Sequence, residues 1–179
     1  MKKYNDAVIK HYEKVWGQKG SPKKWEPGPV KNVAPELEIL EFAPSSKRKM
    51  WTYATAGMPG IADTNPLELH LFSPVQTDIH VETLAVIVHF HRTGQKLDIG
   101  HTLNIGRPWL PHSKASYGLI SLPYLDGPEL EWCNVGDRRV RFLWLIPITE
   151  AERDYKVKYG GECPGRKNGK KRISTTWIL

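Results

Sequence analysis

The sequence predicts an α+β domain, a mostly antiparallel sheet with helices packed against it. Three observations carry this expectation. Apolar residues recur at helical spacing near the start, the middle and the end of the chain. Between those stretches they alternate at a period of two, as in Leu67, Leu69 and Leu71 against Glu68, His70 and Phe72. Gly, Pro and Asp-Gly signals cut the chain between these stretches into short pieces. The resulting order is helix, strands, helix, strands, helix, with no internal repeat and no linker long enough to separate a pair of domains.

Taken in order, Tyr4 to Trp16 reads as a helix with Tyr4, Val8, Tyr12 and Val15 on one stripe, and Gly17 stops it. Residues 17–35, rich in Gly, Pro and Lys, read as loop. Leu37–Phe42 and Met50–Ala54 are strands, and Leu67–Leu71 is a strand with one buried face. Ser73-x-x-Gln76 offers a capping box with Pro74 at the first helical position, so a helix is expected from there to about His91, ended by Gly94. Leu103 with Ile105, Tyr117 to Leu122, and Leu130–Asn134 are short strands, with turns at Asp126-Gly127 and Gly136-Asp137. Val140–Ile146 is apolar on both faces after Arg141, which places it mid-sheet and Trp144 in the core. Thr149-x-x-Glu152 is a second capping box, opening a helix that ends near Gly160. The domain is therefore expected over 1–160. A basic tail follows over 161–179, with Trp177-Ile178-Leu179 able to dock back.

The chain has 179 residues, of which 40% are hydrophobic, enough to bury one core. The longest apolar runs, Leu84–Val88 and Phe142–Ile146, are far too short to span a bilayer, and no apolar segment follows the charged N-terminus, so a cytoplasmic protein without a membrane segment is expected. Cys133 and Cys163 are far apart and outside any CxxC spacing, which argues against a disulfide framework or a zinc ribbon; Cys133, beside Trp132, reads as an inert core thiol. The net charge is +7, and Arg166, Lys167, Lys170, Lys171 and Arg172 supply five positive charges within seven positions. Such a run is more often a solvated tail than a docking site. It carries no interleaved aromatics for base stacking, so nucleic acid is not the expected partner.

The search for chemistry returns little. There is no GxSxG elbow and no phosphate loop. His89 and His91 lie two apart in a helical pattern and point in different directions. Asp98, His101 and His112 could meet as a His/His/Asp metal site, which keeps a metal-dependent hydrolase open as an alternative, but no tight ligand spacing supports it. The expectation is a non-catalytic chain with no cofactor and no metal. The stretch from Leu97 to His112 follows a helix terminus and carries Asp98, His101, Arg107 and Trp109, residue types that serve as interface anchors. These four are the expected partner-binding residues. His101 and Trp109, each taken singly, could equally pin the loop to the sheet.

Residues 50–160 also resemble a family. The run Trp51-Thr52-Tyr53-Ala54-Thr55-Ala56-Gly57-Met58 ends a strand in a T-x-G-[LM] turn. Leu67-Glu68-Leu69 follows, then a helix closing on Thr93-Gly94, the Gly100-His101-Thr102-Leu103 loop, and a hydrophobic strand running into Ile148-Thr149-Glu150-Ala151-Glu152. In order and spacing these motifs resemble the suppressor-of-fused family, over about 110 residues. The resemblance implies the fold of that family's N-terminal domain and a function in holding another protein. Animal members restrain a transcription factor with two domains that close on a peptide, partly by strand addition. The second domain has no counterpart here, so that clamp is not expected. Compact single-domain members are similar to bacterial immunity proteins, which implies a cognate toxin as partner; the +7 charge would then suit an acidic toxin surface. A regulator or adaptor that sequesters some other protein is the alternative.

Overall fold

The computed structural model describes residues 2–159 and the backbone of residues 175–177. In chain order the elements are α1 (Lys2–Trp16), β1 (Ser21–Lys23), α2 (Val30–Val33), β2 (Glu38–Phe42), β3 (Trp51–Ala56), β4 (Leu67–Ser73) and α3 (Asp78–Thr93). There follow β5 (Thr102–Asn104), β6 (Ala115–Ser121), α4 (Pro128–Glu131), β7 (Trp132–Val135), β8 (Arg138–Thr149), α5 (Glu150–Tyr159) and β9 (Thr175–Trp177). They gather into two compact units, Met1–Leu97 with Leu122–Trp144, and Asp98–Ser121 with Leu145–Leu179.

In the first unit the strands run in the order β1-β2-β3-β4-β8, and β7 pairs with β8 as a hairpin. All of these pairs are antiparallel except β4 with β8, where Leu67 to His70 lie beside Arg141 to Trp144 in parallel. Strand alternation then assigns the two faces. Leu40, Phe42, Ala54, Ala56, Val140 and Phe142 form one core with Tyr4, Val8, Tyr12 and Trp16 of α1. These four helix residues recur every fourth position, so one stripe is buried, with Trp16 rather than Val15 as its last member. Gly17, at φ +64°, turns the chain out of the helix. Tyr53 points the other way, toward α3: its ring lies 5.6 Å from His80, and its hydroxyl accepts from the Thr77 amide at 2.8 Å.

Because helices cover both faces, β4 is buried along its whole length, Glu68 and His70 included. The alternating pattern predicts only one buried face. On the second face Glu68 is hydrogen-bonded inside the protein by partners distant in sequence, and His70 lies beside Asp126. The helix that follows also starts later than the Ser73 box suggests. Ser73 ends β4, and its hydroxyl bonds Val75 instead. Thr77 is the cap, accepting from the Ile79 amide at 3.2 Å. Residues 17–35, expected as loop, contain the short β1 and α2. Leu130 lies in the single turn α4 rather than in the strand that follows. Cys133 is half-buried, not deep in the core, and burial holds its thiol above the ordinary range. Trp144 is also only half-buried, while its neighbours Leu143 and Leu145 are fully buried.

The second unit has the order β8-β6-β5-β9, with β5 antiparallel to β6 and parallel to β9. Gly118 of β6 lies under Leu145; a Cβ there would come within 2.7 Å of the leucine side chain, which would have to shift. The Thr149 box forms as expected. The Thr149 amide donates to Glu152 Oε2 at 2.7 Å and the Glu152 amide donates to Thr149 Oγ1 at 3.3 Å. The basic run Arg166–Arg172 and the terminal Ile178-Leu179 lie outside the described residues.

Candidate protein-interaction surface

The loop between α3 and β6 enters through a tautomer-specific contact. The Leu97 amide donates to His91 Nδ1 at 3.1 Å, so the ring carries its proton on Nε2, 3.1 Å from Asp63 Oδ2. Beyond it, Asp98 and His101 build one turn. The Asp98 amide donates to His101 Nδ1 at 3.2 Å, the His101 amide returns to the Asp98 carbonyl at 3.2 Å, and Asp98 Oδ1 accepts from the Ile99 amide at 2.7 Å. Gly100 takes φ +84° at the apex. Its amide donates to the Ile120 carbonyl at 2.7 Å, and its own carbonyl accepts from Lys156 of α5. The turn is thus held from β6 and α5 while Asp98 and His101 stay partly exposed.

The second half of the loop is held differently. Trp109 is 4% exposed, and its amide donates to the Ala115 carbonyl at 2.7 Å. Its ring therefore shapes the loop from beneath. Arg107 is half-buried, and His112 stands exposed with φ +68°, a conformation uncommon outside glycine. Among the described residues no three His, Cys, Asp or Glu side chains gather as a metal site.

Three clusters that resemble catalytic groups lie in the first unit, two of them deeply buried, and sequence reasoning missed all of them. Glu68 is fully buried and collects donors from the Tyr4 hydroxyl at 2.9 Å, the Thr55 hydroxyl at 2.6 Å, and the amides of Gly57 at 2.9 Å and Met58 at 3.2 Å. Burial outweighs these donors and pushes its carboxyl up to about 7. Asp126, with no exposed side-chain surface, accepts from Trp16 Nε1 at 2.8 Å, pairs with Arg48, and lies 3.2 Å from His70 Nε2. The Arg48 guanidinium sits 4.9 Å from the Trp16 ring and 4.8 Å from the Phe72 ring. Burial lowers His70 below its ordinary range; burial works against the Asp126 charge, but His70, Arg48 and the Trp16 N–H together outweigh it and hold that carboxyl low. In the third cluster Asp63 bridges His91 and, at 2.7 Å, Lys96, while Arg92 donates to the carbonyls of Met58 and Gly57. An Asp–His pair is a common catalytic motif; here the carboxylates and imidazoles are buried, Asp126 joining a turn to α1 and β4 and Asp63 joining a loop to α3.

What these pairs hold outward is apolar. Asp126 pins the turn from Leu122 to Gly127, in which the Asp126 and Gly127 amides both donate to the Pro123 carbonyl. Tyr124 and Leu125 on that turn are 70% and 62% exposed. Nearer the N-terminus a groove of about 560 Å³ is lined by Lys2, Asn5, Lys23, Trp25, Lys31 and Glu36, among others. No helix of the described residues is long and apolar enough to cross a membrane.

A mixed but mostly antiparallel sheet with helices packed against it defines an α+β fold. The chain belongs to the suppressor-of-fused family: the family model for Suppressor of fused protein (SUFU) matches residues 34–163. A suppressor-of-fused homologue from Neisseria gonorrhoeae is 32% identical, with a TM-score of 0.75 over 87% of this chain and 82% of that one. At 14% identity the fold alone is shared with two further structures. One is the Sufu–Fu complex, at TM-score 0.60 over 87% of this chain and 80% of that one. The other is Drosophila Suppressor of Fused, at TM-score 0.57 over 87% of this chain and 44% of that one. Among proteins of curated function none matches in sequence.

Proposed function

We propose that this protein binds another protein without catalysing a reaction, and that it does so through the loop carrying Asp98, His101 and Arg107. Family membership carries the reading: a solved relative of the same fold is a complex between two proteins. The clusters add support. The buried Asp–His pairs and Glu68 are engaged in holding loops in place, as a binding scaffold needs. Trp109 acts from below, fixing the loop backbone so that less freedom is lost on binding.

The finer reading is an immunity protein that neutralises a cognate toxin, with a regulator that sequesters some other protein as the alternative. The net charge of +7 suits a partner with an acidic face. The test is co-expression with a toxin encoded beside this gene. Growth should be protected by the wild-type chain and not by Asp98→Ala/Arg107→Ala, whose affinity should fall at least about tenfold, or ~1.4 kcal/mol, with the melting temperature unchanged. Absence of protection by the wild type, against every neighbouring toxin gene, removes the immunity reading and leaves the sequestering one.

A further inference from the structure

The hairpin β7–β8 carries a surface that the loop reading does not use. Register places Trp132 opposite Arg141 and Asn134 opposite Arg139, so these four side chains share one face of the two strands. The neighbouring positions point the other way: Cys133, Val135 and Val140 pack toward the α1 core. Trp132 is 37% exposed, and Asn134 and Arg139 are also exposed. The indole is flanked by two guanidinium groups, Arg139 Cζ at 4.2 Å and Arg141 Cζ at 5.0 Å from its centroid.

The two arginines differ in how their charge is met. Arg141 donates through Nε at 3.1 Å and a terminal nitrogen at 2.7 Å to Glu131 Oε1, so its charge is met by the last residue of α4. Arg139 forms no ion pair among the described residues. A guanidinium resting on an aromatic ring keeps its in-plane N–H donors pointing outward, arranged to accept a carboxylate with two parallel hydrogen bonds. Stacking on Trp132 also limits its rotamers, so less order is lost when such an anion arrives.

We propose that the Trp132–Arg139 face of the hairpin docks an acidic segment of a protein, a carboxylate seating on Arg139 and its aliphatic stem on the exposed edge of Trp132. Charge complementarity identifies the occupant: the guanidinium of Arg139, stacked on Trp132, is the cation this face offers. A nucleic acid is disfavoured because this face offers a single aromatic, whereas strand binding needs successive stacking platforms. The proposal rests on the protein-binding reading only for its choice of carboxylate over phosphate.

The experiment follows the Trp132 indole N–H by two-dimensional NMR of the full chain, the resonance being assigned by its loss in Trp132→Phe. Capped tetraglutamate is the probe, with capped tetraglutamine and an oligothymidylate of equal charge alongside. Tetraglutamate should shift the resonance saturably and tetraglutamine should not. Arg139→Gln, whose exposed position spares the fold, should weaken binding at least about tenfold. The Asp98→Ala/Arg107→Ala chain should bind the peptide as the wild type does, so a failure of the loop reading is separable from a failure here. No shift at Trp132, an equal response in Arg139→Gln, or tighter binding of the oligothymidylate overturns the proposal.

Discussion

Glu68 shows how one buried side chain sets the behaviour of the protein with pH. Its carboxyl moves from an ordinary 4.5 up to about 7 because burial disfavours the charge. Below about pH 4.5 the group is protonated in both states and its contribution to stability is complete; as pH rises through about 7 the folded protein must ionise it, and that contribution is lost, a change on the order of 3 kcal/mol. His70 and His91 act in the opposite sense: held low by burial, they stabilise above their ordinary 6.5 and lose that stability as pH falls. The difference between wild type and Glu68→Gln isolates the carboxyl. In chemical denaturation, the stability of the wild type relative to the variant should decline as pH rises from about 5 to about 8. A pH-independent difference would mean that the carboxyl is ionised throughout, held by its donors. Asp126 makes a second residue-level prediction. Asp126→Ala leaves Arg48 wedged between two rings with no counter-charge and strips Trp16 Nε1 of its acceptor. It should cost about 3 kcal/mol by thermal melting, in line with removing one member of a buried pair.

At the scale of elements, the two capping boxes separate what is local from what is not. Thr149 and Glu152 lie one turn apart and cap each other, so the sequence motif and the structure agree. Ser73 and Gln76 have the same spacing, but β4 extends through Ser73 and Gln76 reaches Glu41 of β2 instead. Pairing within the sheet has displaced the helix start by one turn, to Thr77. Thr77→Ala should therefore cost about 1 kcal/mol and Ser73→Ala should leave α3 intact, distinguishable by amide exchange of the first turn. The same division explains the rest. Tyr4, Val8 and Tyr12 of α1 and Phe142, Leu143 and Leu145 of β8 were legible because apolar spacing alone fixes them, whereas the last stripe position and Trp144 were not. Glu68 and His70 looked solvent-facing because their partners Tyr4 and Asp126 lie in distant elements. Asp126 was legible as a turn residue; its role as a clip depends on Trp16 and Arg48, 110 and 78 positions away. In the candidate loop, Asp98 and His101 share one turn, and Trp109 is buried, which is the pinning role the sequence left open beside an interface role.

For the whole molecule, the fold is shared with a relative solved as a complex between two proteins. The central claim is that this chain works by holding a protein. Affinity purification of the tagged full chain from its native cells, with quantitative mass spectrometry of what co-elutes, tests it most directly. The account predicts one protein at near-stoichiometric yield with the wild type, reduced at least about tenfold with Asp98→Ala/Arg107→Ala at equal bait recovery. A chain that elutes alone, or that retains a stoichiometric metal in place of a protein, would contradict it.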